Sequence, residues 1–189
     1  PYAFAVALLA IRFRDPVYPA RAATIAAIGL GYFLVRIGAT TASLAIAADD
    51  QQARLAAIDA LQRGARVVSL VGRPCGDEWA LPRNTHLGAM VIVRRQGFSN
   101  DQWVIEGANL LGLNYRRAGA FSADPSQMVQ PNTCRPRVYW SIDYSLRTLP
   151  RDAFDYVWLV DPPPFDERLT QDMQMVWRGE GSILYRLRR

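Results

Sequence analysis

Between Ala22 and Ala48 the chain runs for 27 residues with one charge, Arg36, and otherwise only apolar, small or weakly polar side chains. A helix of that length reaches ~40 Å at 1.5 Å per residue, against a hydrocarbon core of ~30 Å. Soluble helices are shorter and carry a polar face. In this stretch every helical face is apolar or small except at Arg36. Gly29, Gly31 and Gly38 would each weaken a water-exposed helix by roughly 1 kcal/mol relative to alanine, whereas in lipid such residues let helices approach closely. The expectation is therefore a transmembrane helix over 22–48. The alternative is a long core helix of a soluble protein. Arg36 would cost ~2.5–3.5 kcal/mol at the bilayer centre. The spare length lets it reach an interface, and a polar cavity between helices would also hold it.

Charge divides the chain at the same place. Residues 1–48 hold four arginines and one acid, and the remainder holds eighteen arginines and sixteen acids. The first part reads as a membrane segment and 49–189 as a soluble domain. The chain opens Pro1-Tyr2 without a methionine, so 1–11 reads as the end of a preceding membrane helix. The link 12–21 (RFRDPVYPAR) has three arginines to one aspartate and is expected on the cytoplasmic side. The helix would then deliver 49–189 across the membrane, into the periplasm if this is a bacterial inner-membrane protein.

All 22 basic residues are arginine, in a chain of net charge +5. One reading of this composition is a GC-rich genome that favours arginine codons, and bidentate phosphate recognition is the functional alternative. The basic residues are scattered among acids, including Arg94-Arg95 and Arg116-Arg117, which read as solvated faces. No basic-aromatic platform marks a nucleic-acid surface, so nucleic acid is not expected as a partner. Cys75 and Cys134 are the two cysteines. In an oxidising compartment such a pair is expected to bond, the alternative being two unrelated thiols. With one histidine, His86, and no CxxC spacing, neither a zinc site nor any other metal site is expected, and no cofactor is implied.

Along the soluble part, Asp49 or Asp50 opens a helical turn in which Leu55, Ile58 and Leu61 face inward, stopped by Gly64. ARVVSLVG (65–72) reads as a buried strand. Asn84 is expected to cap a helix with Leu87, Met90 and Val91 on one face, closing near Gly97. NLLGLNY (109–115) reads as a further strand, and 116–139 as a long loop. Ser141 starts a helix with Ile142, Leu146 and Leu149 inward. FDYVWLVD (154–161) is the clearest strand, and MVWRGEGSILYRL (175–187) is a hairpin around glycine. Strands alternating with helices, then a hairpin, imply an α/β fold with a mixed sheet.

Ligands in open α/β sheets sit at the carboxyl ends of strands. Two acidic loops qualify, GRPCGDEW with Asp77 and Glu78, and DPPPFDE with Asp161, Asp166 and Glu167. Paired carboxylates there serve acid/base work or cation binding, or simply cap turns. Asp161 and Glu78 are the candidates for chemistry. His86 is a candidate base, or a polar residue at a helix start. SNDQW (99–103), with Asp101 and Trp103, together with Trp79, Trp140 and Trp158, would suit a sugar-binding surface. The alternative is that these tryptophans belong to the core. No nucleophile elbow, GxGxxG or P-loop is present.

The run 22–48, RGARVVSLVG (63–72), FDYVWLVDPP (154–163) and GEGSILYRL (179–187) carry a resemblance. The arrangement resembles the carboxy-terminal end of bacterial multi-spanning membrane proteins related to glycosyltransferases that use polyprenyl-phosphate sugars. The resemblance implies a last membrane helix followed by a periplasmic α/β domain with a binding or positioning role, and a lipid-linked sugar as substrate. The catalytic acids of such enzymes lie in early external loops, so none is carried over to this chain. A membrane-anchored hydrolase with a site near Asp161 and Glu78, or an envelope assembly module, are the other readings.

Overall fold

The structure, a computed structural model, describes residues 19–76, 82–105, 107–108 and 110–188. The expected partial helix 1–11, most of the link 12–21, and the candidates Asp77, Glu78 and Trp79 lie outside the described residues. The chain divides between Ile46 and Ala47 into two units.

The first unit consists of most of helix α1, Pro19–Leu55. The helix begins three residues before the expected Ala22. Proline suits a first helical position, because its fixed φ is already helical and its missing N–H has no partner there. Ile25, Leu30, Phe33, Val35, Leu44 and Ile46 are all exposed, on every side of the helix. Arg36 is exposed among them. This helix is long and apolar enough to cross a membrane, with none of its most apolar window buried.

The second unit, from Ala47, is a mixed sheet with helical layers on both faces. The last turns of α1 pass without a break beyond Asp49-Asp50 into a 3₁₀ turn, Ala56–Ala60. Leu55, Ile58 and Leu61 are buried, as their spacing predicts. Gly64 follows at φ +75°, the left-handed conformation that glycine adopts at no steric cost. The expected strand becomes β1, Arg66–Gly72. After it come α2 (Met90–Arg95), β2 (Phe98–Ser99), β3 (Met128–Gln130), β4 (Trp140–Ser141) and α3 (Ile142–Thr148). The sheet is completed by β5 (Tyr156–Val160) and the hairpin β6 (Gln174–Gly179) with β7 (Ser182–Arg186).

The strand order is β4-β3-β1-β5-β7-β6, with β2 beside the start of β1. β1 to β5 pair in parallel, and β7 joins β5 antiparallel. The two central strands alternate between faces with period two. Val68, Leu70, Val157 and Leu159 meet α3 through Ile142 and Leu146. Val67, Val71, Trp158 and Val160 meet Ile58, Leu61, Leu87 and Val91. β1 and β5 are also joined at their amino ends by an ion pair. Arg66 Nη2 lies 2.7 Å from Asp155 Oδ1, and Arg66 Nη1 donates to the Tyr115 hydroxyl.

Three readings of the sequence need correction. Residues 110–115 form no strand: Leu110 is fully exposed and Leu111 exposed, so the apolar run has no face to bury. The supposed loop 116–139 contains a 3₁₀ turn, Arg116–Phe121, and β3, whose Val129 is fully buried. Asn84 does not cap α2. The residue before that helix is Ala89, whose N–H is taken up by the side chain of Asp101. Two other local expectations are met. Ser141 caps α3 by accepting from the Tyr144 N–H, and Cys75 and Cys134 form a disulfide between the segments that follow β1 and β3. A disulfide fits an oxidising compartment.

Candidate functional site

Asp161 leaves the carboxyl end of β5 at φ +44°, a conformation uncommon for a side chain larger than glycine. Its N–H donates to the Gly181 carbonyl at 2.6 Å. Both carboxylate oxygens are occupied. Arg54 Nη2 approaches Oδ1 at 2.6 Å and Arg54 Nε lies 3.2 Å from Oδ2, while Asn84 Nδ2 donates to Oδ2 at 2.9 Å. Arg54 also pairs with Asp50 one turn earlier on α1. Neighbouring glycines make room for this knot. A Cβ on Gly72 would stand 1.9 Å from the Asp161 carbonyl oxygen, and one on Gly181 2.6 Å from Asp161 Oδ1.

A carboxylate held this way is an ion-pair partner, bonded at both oxygens. The expected strand-end position of Asp161 is met, and its chemistry is that of a clamp between β5 and the end of α1. Arg54 is only 9 % exposed, so Asp161→Asn would leave a buried guanidinium facing a neutral amide. Arg54 keeps its Asp50 partner, so the expected loss is about 1.5–3 kcal/mol, the range for a hydrogen bond to a charged group, measured by urea unfolding of the full chain in detergent, followed by circular dichroism. A loss near that of an exposed pair, under ~1 kcal/mol, would show that the clamp contributes little.

A second constellation forms where the sequence suggests unrelated candidates. His86 Nδ1 lies 2.7 Å from Asp101 Oδ1. The other oxygen of Asp101 accepts the Ala89 N–H at 3.0 Å, at the start of α2. The Asp101 side chain is buried and that of His86 largely exposed, so the imidazole covers the carboxylate. Burial pushes the Asp101 carboxyl above its ordinary value. The hydrogen bond from His86 opposes that shift, and nearby Asp124 adds to it. One ligand atom from each of His86, Asp101 and Asp124 falls within 4.8 Å of the others. Asp124 in turn accepts a hydrogen bond from the amide of Gln127. It also lines a cavity of about 380 Å³ with Ser122, Ser126, Tyr139 and Trp140.

The remaining candidates do not gather into one site. In SNDQW, Asn100 is fully buried and completes the edge of β1. Its Oδ1 accepts from the Ser69 N–H at 2.8 Å and its Nδ2 donates to the Ser69 carbonyl at 3.1 Å. The described tryptophans are dispersed. Trp158 is in the core, with Nε1 donating to Ser182 Oγ at 2.7 Å. The Trp140 ring lies tilted against Phe121 at 5.2 Å and edge-on to Tyr144 at 5.7 Å, and Trp103 is exposed. The burial of Trp158 removes it from any sugar platform. Asp166 caps the 3₁₀ turn Glu167–Thr170, accepting from the Arg168 N–H at 3.1 Å. The Arg168 side chain and then that N–H hold its carboxyl below the usual range. Arg54 is the participant that the sequence reading misses. It lies 107 residues from Asp161, and its one sequence signal is the i, i+4 spacing to Asp50.

No protein-family model matches the chain, and comparison with curated proteins and with solved structures likewise finds no match.

Proposed function

We propose that this is a membrane-anchored protein of glycosyltransferase-like type. Its domain of residues 49–189 lies outside the cytoplasm and holds or positions a lipid-linked sugar. The observation that carries the anchoring is helix α1, with apolar side chains exposed around its full circumference. Exposed apolar surface on that scale marks an interaction with lipid or with other helices. The Cys75–Cys134 disulfide supports an oxidising compartment for the domain. The sugar part of the reading is supported by the sequence resemblance. It is also supported by the cavity beside Asp124, whose wall of Ser122, Ser126, Tyr139 and Trp140 offers hydroxyls and an aromatic ring together. The bonding of Asp161 to Arg54 and Asn84 supports a structural role for that carboxylate in this reading.

Reporter fusions at Asp50 and Arg189 test the topology. Alkaline phosphatase is expected to be active at both positions and a cytoplasm-only fluorescent reporter dark. The reverse pattern would sink the reading. For the ligand, a photoactivatable polyprenyl-phosphate sugar is expected to label the cavity segments 120–126 or 138–140 of the detergent-solubilised chain. Labelling confined to α1 would reduce the reading to anchoring alone.

A further inference from the structure

We infer that His86, Asp101 and Asp124 form a binding site for one divalent transition-metal cation, next to the cavity that Asp124 lines. One imidazole and two carboxylates match the donor set of such ions, with Zn–N and Zn–O distances of ~2.0–2.2 Å. The donor atoms already stand within 4.8 Å of each other. Side chains that are exposed (His86) and half-buried (Asp124) can close the small remaining distance around an ion.

Two further observations point to a cation. Gln127 is fully buried, and its Oε1 has no hydrogen-bond partner, although the same amide touches Asp124. A buried acceptor without a donor costs about 1–3 kcal/mol, and this one belongs to the amide that bonds Asp124, beside the donor set. The second observation is the choice of counter-charge. Asp59, Asp152, Asp155, Asp161, Asp166 and Asp172 each pair with an arginine. Among the described residues no arginine pairs with Asp101 or Asp124. Asp101 is held instead by a histidine and a backbone N–H, and Asp124 by an amide, so neither of these adjoining carboxylates has a guanidinium as its partner. Asp124 belongs to both the donor set and the cavity wall. An ion held there would adjoin the cavity, where an oxygen of a phosphate or hydroxyl group would complete its coordination.

The test is isothermal titration of the full chain in detergent with Zn²⁺ and, separately, Mn²⁺. One equivalent is expected to bind saturably, with affinity lowered at least ~10-fold by His86→Ala or Asp124→Asn, the size of effect expected on losing a contact of this kind. Asp161→Asn, outside the donor set, is expected to leave binding unchanged. Asp124→Asn keeps shape and removes charge, and its fold is checked by circular dichroism. Should that variant misfold, His86→Ala, altering a largely exposed side chain, decides the matter. No saturable binding, or binding that survives both substitutions, overturns the site. Neither result bears on the topology test, which reads on which side of the membrane Asp50 and Arg189 lie.

Discussion

Trp158→Ala is expected to destabilise the domain by about 3–5 kcal/mol, the range for emptying a buried aromatic site. Trp158 is fully buried at the centre of β5. It pairs with Leu184 across β7 and packs with Ile58 and Leu61 on one face of the sheet. Its removal opens a cavity between the sheet and the layer formed by the end of α1, and it strips Ser182 Oγ of its donor. Trp158→Phe separates the two effects. The ring keeps most of the packing, so the loss should fall to about 1–3 kcal/mol, the cost of an unpaired buried hydroxyl with a small void. Urea unfolding of the full chain in detergent, followed by far-ultraviolet circular dichroism, measures both. Equal losses for the two variants would show that the indole N–H, and not ring volume, dominates.

Removing the disulfide should have a comparable effect. Cys75 and Cys134 are 59 residues apart, and closing a loop of that size restricts the unfolded chain by ~4 kcal/mol on chain-entropy grounds. A Cys75→Ser, Cys134→Ser double variant is expected to lose about that much and to unfold at a correspondingly lower urea concentration. Treating the parent with a thiol reductant should produce the same change. An oxidised and a reduced parent with identical urea midpoints would show that strain in the folded state cancels the entropic gain.

The parts of the fold that were legible are those that carry their own signal. β1 and β5 are runs of β-branched and aromatic residues, and α3 announces itself by Ser141 followed by Ile142, Leu146 and Leu149. The hairpin shows its glycine turn. What escaped is short and non-local. β2 and β4 are two residues long and β3 three, too few to display a period of two, and they are strands only because β1 and β3 offer edges. Conversely, Leu110 and Leu111 look like a strand, but a run of apolar residues becomes one only if a neighbour covers it. The candidate sites divide the same way. Asp161 was identifiable from its place after a strand, yet its role is set by Arg54, which no local pattern links to it. His86 and Asp101 were separate candidates. Their meeting depends on α2 ending at Gln96, where φ of +52° turns the chain back toward β1.

The pairing of β1 with β5 has a consequence for how the domain is made. Val67 sits opposite Tyr156, 89 residues further along, and the Arg66–Asp155 ion pair spans the same separation. Contacts so distant in sequence reward the chain only after a large loop has closed, which slows folding. No stretch ending before Asp155 can build the centre of this sheet, and β7 must arrive before β5 is covered on its second edge. A ribosome or translocation channel releasing the chain from its amino end would therefore hold nearly the whole domain unassembled. The apolar strand β1 would stay exposed until β5 and β7 emerge, which makes it the segment most in need of a chaperone.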